Sequence, residues 1–407
     1  MRTTMATENN NKTLNVPNLR FSEFSGEWTK TLLNNYLEEN KERNKRGIFT
    51  KNHVLSVSGD FGIVNQIELL GRSFAGKSVL DYHVVRTGNI VYTKSPLKEY
   101  PYGIVKVNGG VDGIVSTLYA VYKVKETANG KFVEYYFGLP NRTNRYFKPI
   151  VRIGAKHDMK IGNDEVLANY VVFPCVDEQK RISDFICLLD ERIATQIKII
   201  EKLESLIRGI VTKVCSGTFV KGEYVFLRDI LTERHIKNTE NYEVCSVSVS
   251  QGIVNQIDYL GRSFAAKETL HYNVVNYGDV VYTKSPTGDF PYGIVKRSNI
   301  HRPVAVSPLY GVYQPKNDYI GRFLHLYFKS PINAKNYLHR LIQKGAKNTI
   351  NITNSHFLDN KVFITDDAEL KNIVNLTSAI EDKLILANQM LDSLKNQKSY
   401  LLSKMFI

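Results

Sequence analysis

Two short strings of cationic, hydroxyl and aromatic residues occur twice in this chain, in the same order. One reads Gly71-Arg72-Ser73-Phe74 and again Gly261-Arg262-Ser263-Phe264; the other reads Tyr92-Thr93-Lys94-Ser95 and again Tyr282-Thr283-Lys284-Ser285. A forked guanidinium beside a flexible glycine suits bidentate hydrogen bonding to guanine, worth roughly 1–3 kcal/mol of discrimination. It suits a phosphate, or a carboxylate of the fold, equally well. Lysine and hydroxyl groups at a strand end that turns at Pro96 or Pro286 would position phosphates, and a tyrosine there could touch a base or simply pack. Lys77, Lys106 and Lys156, with their counterparts Lys267, Lys296 and Lys347, are further candidate phosphate contacts, with a solvated surface lysine as the ordinary alternative. Lys156 and Lys347 each follow Gly-Ala in a stretch rich in Gly and Asn, whose backbone N–H groups could approach a phosphate or form a plain turn.

Catalytic constellations do not emerge. The nine histidines show no H-E-x-x-H spacing, and no phosphate-binding loop of P-loop or dinucleotide type is present. An adenine methyltransferase needs Asn, Asp or Ser followed by Pro-Pro-aromatic, and Ser95-Pro96 is followed by Leu97. Asp60-Phe61-Gly62 imitates a metal-binding kinase motif, but its copy reads Ser250-Gln251-Gly252 and has lost the carboxylate. A nuclease would require a carboxylate cluster with a lysine, and none is visible. Neither a metal nor a cofactor is expected. Cys175, Cys187, Cys215 and Cys245 are too scattered for a zinc site or a disulfide framework, and are expected to be buried thiols.

The formal net charge of +14 makes a polyanion the first partner to consider. No apolar run approaches the roughly 18 residues of a membrane span, and Met1 to Lys12 lacks the apolar core of a secretory signal, so a cytoplasmic location without membrane contact is expected.

The elements that must position these residues come in pairs. Between 62–106 and 252–296, 30 of 45 positions are identical without a gap, a duplication far longer than a solenoid repeat and long enough for each copy to bury its own core. Short β-rich segments such as Asn89–Thr93 and Leu118–Tyr122 alternate with Gly, Pro and Asn punctuation. From Glu178 onward the pattern changes. Apolar residues at Ile186, Leu189, Ile193, Ile200, Leu203, Ile207, Ile210 and Val214 step by three and four, with Gln196 filling one step, which is the seam of a coiled coil. Ile380, Leu384, Ala387, Leu391, Leu394, Leu401 and Met405 repeat it, with Thr377 and Lys398 at two steps. Two seams in one chain would most simply bury each other as an antiparallel pair; the alternative is that each helix packs on its own domain. A helix from Glu178 to Val214 would span about 54 Å, against roughly 34 Å for one turn of B-DNA.

This order of domain, helix, domain, helix resembles the DNA-specificity subunits of Type I restriction–modification systems. The resemblance rests on Pro17 to Trp28, on Gly88-Asn-Ile-Val-Tyr-Thr-Lys94 with its copy Gly278-Asp-Val-Val-Tyr-Thr-Lys284, and on Phe173-Pro174 leading through Glu178-Gln-Lys-Arg-Ile182 into the first helix. That helix ends at Arg208-Gly-Ile-Val-Thr-Lys-Val214, matched by Ser399-Tyr-Leu-Leu-Ser-Lys-Met405. One departure is that Phe363-Ile364 stands for the Phe-Pro entry, and Ala368-Glu-Leu-Lys-Asn-Ile373 lacks the Glu-Gln pair.

The resemblance implies an α+β chain: two similar mixed α/β target recognition domains separated by two long antiparallel coiled-coil helices, with a pseudo-two-fold internal repeat. The expected segments are 1–177 and 218–366 for the recognition domains and 178–217 and 367–407 for the helices. It implies a non-catalytic subunit bound to double-stranded DNA, to two adenine-methyltransferase subunits and to ATP-dependent restriction subunits. Because the copies are so alike, the expected site is bipartite and near-palindromic. A repressor or architectural protein that acts alone is the alternative of a different class.

Overall fold

A computed structural model describes residues 2–3, 14–153, 159–215, 220–261, 268–344 and 350–407. The chain forms two compact units, Met1–Gln196 with Met390–Ile407, and Ile197–Gln389. Both contain corresponding α-helices in the same order. In the first unit these are α1 (Gln66–Leu70), α2 (Gly130–Tyr136), α3 (Pro140–Phe147), α4 (Asn163–Leu167) and the start of α5 (Val176–Cys215). The second has α6 (Gln256–Leu260), α7 (Asp318–Lys329), α8 (Pro331–His339), α9 (Asn354–Phe357) and the start of α10 (Asp367–Met405).

The sheets match except for a two-stranded pair, Arg2–Thr3 with Leu19–Arg20, found only in the first unit among the described residues. In the first unit an antiparallel sheet runs in the order Leu37–Glu39, Ala120–Val124, Ile90–Tyr92, Val105–Val107; in the second it runs Leu231–Glu233, Gly311–Pro315, Val280–Thr283, Ile294–Arg297. Each unit adds a hairpin, Leu55–Ser58 with Gly62–Asn65 or Cys245–Ser248 with Gly252–Asn255. The central strands Ile90–Tyr92 and Val280–Thr283 are buried on both faces, so they read as continuous apolar runs rather than alternating ones. The expected strand at 118–122 begins two residues later, at Ala120, because Leu118 lies exposed in the preceding turn.

The periodic helices form as predicted, over 40 and 39 residues. Both seams are the covered face: Leu189, Ile207 and Val214 on α5, and Ala387, Leu391, Leu394, Leu401 and Met405 on α10, are buried, while Ile193, Ile200, Leu203, Ile210, Ile380 and Leu384 are half-buried. In the first unit Ile182, Ile186 and Leu189 share a core with Leu394, Leu401, Leu402, Met405 and Phe406. In the second Ile207 and Val211 pack with Ile380 and Leu384. The start of one helix therefore meets the end of the other in one unit, and the end meets the start in the other unit, which is antiparallel pairing. Both alternatives raised by the seams hold at once, since each helix start also enters the core of its own unit: Ile182 with Trp28 and Phe173, Leu370 and Val374 with Phe357 and Tyr337. Each such fully buried side chain stabilises by roughly 1.5–3 kcal/mol.

The two helix starts are built differently. Glu178 and Gln179 are buried polar groups in the first unit. Arg20 donates to both oxygens of Glu178 at 2.7 Å, and Trp28 Nε1 donates to the same carboxylate at 3.3 Å. Gln179 Nε2 donates to the carbonyls of Thr127 and Pro174, and its Oε1 accepts from Asn129 N. In the second unit Leu370 occupies the place of Gln179 and is 1% exposed, and Glu369 is only half-buried. The departure seen in the sequence is thus a polar network replaced by an apolar plug.

The cysteines do not all behave as expected. Cys245 is buried and Cys187 and Cys215 are partly covered, but Cys175 lies exposed just before α5. Among the described residues no group of three His, Cys, Asp or Glu could hold a metal, and no helix is long and apolar enough to cross a membrane.

Candidate nucleic-acid interface

The strongest candidate surface starts from a five-residue helix and its cap. Asn65 Oδ1 accepts from Ile67 N at 2.9 Å and from Glu68 N at 3.4 Å, opening α1. Gly71 closes it at φ 74, a left-handed conformation that a side chain resists, and Gly261 closes α6 at φ 70. The chain then leaves as a loop held by Gln66, whose Oε1 accepts from Phe74 N at 2.7 Å and from Ser73 Oγ at 3.4 Å. Gln66 is itself anchored to Ser56 on the hairpin at 3.2 Å, and Gln256 to Ser246 at 3.1 Å.

Arg72 therefore projects from a fixed loop. It is exposed, with its guanidinium 4.6 Å from the Phe74 ring, which is also exposed. Lys77 is exposed on the same loop, whereas Ser73 is half-buried and spends its hydroxyl on Gln66.

A basic segment not singled out by the repeats packs against this loop. Asn44, 3% exposed, donates to the carbonyls of Phe49 at 2.7 Å and Val79 at 3.2 Å. Phe49, Ala75 and Tyr82 pack on a small cluster of Val54, Val79, Val84 and Ile114 beneath both. Above it Lys41, Arg43, Lys45, Arg46 and Lys51 are all exposed. Arg43 donates to the Asp81 carbonyl at 3.0 Å and Lys45 pairs with the Asp81 carboxylate, a contact that holds that carboxyl below its ordinary range. Arg46 and Lys51 make no ion pair among the described residues. Cations on loops fixed to a rigid support, with an arginine stacked on an aromatic ring, can take phosphate oxygens and present a flat face to a base.

Several residues favoured by the sequence lie elsewhere. Tyr92 is 0% exposed, stacked 4.4 Å from Phe147, and donates its hydroxyl to the Tyr102 carbonyl. Tyr282 is 1% exposed, stacked 4.7 Å from Phe357, with its hydroxyl on the Tyr292 carbonyl at 2.9 Å. Neither side chain can reach DNA in this conformation, so both are corrected to core residues. Lys94 bends inward at φ 49: its ammonium donates to the Ile161 carbonyl at 2.9 Å and to Asn163, tying down α4, and burial lowers its pKa. Lys284 is half-buried with its pKa lowered by the same cause.

Lys106 pairs with Glu134 at 3.3 Å. Lys296 is 4% exposed, so it is corrected from a phosphate contact to a buried lysine, with its pKa pushed down to about 8 by burial and by nearby Lys329. Ser95 is half-buried and donates to the Thr93 carbonyl at 3.2 Å, while Ser285 is exposed. Arg262, Ser263, Lys267, Lys156 and Lys347 lie outside the described residues.

Of the candidates from the shared motifs, the structure leaves Arg72 and Lys77 on one open surface and adds Lys41, Arg43, Lys45, Arg46 and Lys51. Five cations within the eleven residues 41–51 were a visible signal. Weighing only what both copies share discards it, since the second copy does not carry it.

No protein-family model and no curated protein matches the sequence. The fold is similar to that of the S subunit of the Type-I restriction-modification system from M. genitalium, at a TM-score of 0.59 and 14% identity, with 96% of this chain and 99% of that chain covered. The HsdS subunit from Thermoanaerobacter tengcongensis overlaps at a TM-score of 0.41 and 13% identity, over 93% of this chain and 96% of that one. A structure addressing complex assembly and conformational transition of the type I R-M system overlaps at 0.49 and 12% identity, over 93% and 97%.

Proposed function

We propose that this chain is the DNA-specificity subunit of a Type I restriction–modification system, a non-catalytic reader that directs adenine-methyltransferase and ATP-dependent restriction subunits to a bipartite site. The observation that carries the reading is the S-subunit fold over 96% of the chain. It is joined by the net charge of +14 and by the open basic surface around Arg72.

The duplication gives the site its form. The two units have the same make-up: one recognition module, the start of one long helix and the end of the other. Modules with the same sheets and caps would read the same short sequence, once in each half of the site. The target is a near-palindrome interrupted by unspecified base pairs. Linking two modest readers makes the second contact intramolecular, so the pair binds far more tightly than either alone when the spacing fits.

Selection of bound duplexes from a random library by the full-length protein tests this. Two enriched, inverted, near-identical blocks at a fixed gap are expected. A single contiguous motif would favour a repressor acting alone, and no enrichment would remove the reading.

A further inference from the structure

The two modules differ in charge where the first unit carries its basic segment. Asn44 and Asn238 hold equivalent places, each donating its backbone N–H to a tyrosine carbonyl, Tyr82 or Tyr272, at 3.0 Å. Gly47 and Asn241, three residues on, both take positive φ, 64 and 54. Val54 and Val244 then rejoin the repeat, each accepting from the N–H of Gln66 or Gln256. Between these fixed points the first unit has six residues, 48–53, where the second has two, 242–243.

Across this alignment Lys41 faces His235, Lys45 faces Thr239, Arg46 faces Glu240, and Lys51 falls in the added stretch. Residues 41–53 hold five cations and one anion; 235–243 hold one cation and two anions. Neighbouring ion-pair partners narrow the gap without closing it. Arg86, Glu39, Asp81 and Asp112 bring the first surface to six cations against four anions, and Arg302, paired with Glu243, brings the second to two against two. Asn44 donates to Val79 at 3.2 Å and Asn238 to Thr269 at 3.4 Å, equivalent positions of the repeat, so the difference falls on equivalent faces of the two modules.

We infer that the modules divide the work unequally: the first unit grips the duplex backbone through Lys41, Arg43, Lys45, Arg46 and Lys51, while the second contributes shape and base reading with little backbone charge. This rests on the proposed DNA-reading role and adds to it which half-site carries the electrostatic hold. Phosphate contacts release counterions, so each one contributes about 0.9 to the slope of log affinity against log salt.

The full-length protein is titrated with a duplex of its selected sequence at several salt concentrations, as wild type, as Lys45→Thr/Arg46→Glu, and as the reverse graft Thr239→Lys/Glu240→Arg. The wild type should show a steep negative slope. The first variant should make it shallower by about two and the graft steeper by about two, at roughly 0.9 per contact. In ethylation interference, the phosphates that the first variant no longer protects should all fall in one half-site. A steep wild-type slope that neither variant changes, or an interference change spread evenly over both half-sites, overturns the unequal grip and leaves DNA reading intact. A flat wild-type slope overturns DNA reading itself.

Discussion

The two units share their sheets, their capped short helices and their stacked tyrosines, yet they part company at three places. Glu178 and Gln179 form a buried polar network at one long-helix start where the other has Leu370; Lys106 meets Glu134 where Lys296 meets His325; and a basic segment stands where the second unit is near neutral. The most similar stretch of the two copies, 62–106 against 252–296, holds central strands and helix caps together with the loop that exposes Arg72 and Lys77 in the first unit. Identity between copies therefore marks what each unit needs in order to fold and the surface motif both carry. The residues that give each unit its own character lie in what the copies do not share.

The helix starts offer the sharpest way to break this comparison. Removing one partner of a buried ion pair leaves a charge without compensation and costs about 3–5 kcal/mol. Glu178→Ala should lower stability by that amount and raise amide exchange across the start of α5, whereas Glu369→Ala, on a half-buried residue with no ion pair among those described, should cost under about 0.5 kcal/mol. Equal losses would show that the polar network is incidental.

Two equivalent glycines sharpen it further. Gly103 and Gly293 both take positive φ, 90 and 100, but a Cβ on Gly293 would collide with the Thr283 carbonyl oxygen, while one on Gly103 would meet side-chain atoms at 3.0 Å. Both alanine variants carry a backbone cost of about 1–2 kcal/mol. Gly293→Ala should exceed Gly103→Ala in denaturant unfolding, because a strand carbonyl must also move.

The smallest effects are pH-dependent. Burial, aided by Arg43, pushes His83 down to about 4; burial, aided by Lys296, Lys329 and Arg297, pushes His325 down to about 3. Both imidazoles stay neutral when folded and take up a proton near 6.5 when unfolded, so stability rises with pH across that window and is lost on acidification. The Lys296 shift has the same sign: stability should rise as pH increases from about 8 towards 10.5. His325→Glu restores the pairing of the first unit and should stabilise the second by roughly 1–3 kcal/mol at neutral pH, at 1.36 kcal/mol per unit of pKa recovered. A variant with an unchanged stability–pH curve above pH 8 would show that Lys296 does not feel its surroundings.

Much of the architecture was legible in residue spacing. The 3,4 steps gave both long helices and identified their buried faces, and the 190-residue offset gave the paired units, because periodicity and self-similarity are local properties of a string. Side-chain partners were less legible. Tyr92 and Lys94 read as projecting groups at a strand end, but the strand is covered on both faces and Lys94 turns back at positive φ to hold α4. Lys106 and Lys296 looked equivalent, and only the fold shows that one keeps a carboxylate partner and the other is buried beside an imidazole. Such outcomes depend on residues far away in sequence, which spacing cannot reveal.

The central claim, a duplicated reader that directs methylation to an interrupted near-palindrome, is tested most directly by mapping N6-methyladenine in cells with and without this gene. The account predicts methylation that disappears with the gene and lies in two inverted, near-identical blocks at one fixed spacing. Methylation unchanged by the deletion, or two unrelated half-sites, would contradict it.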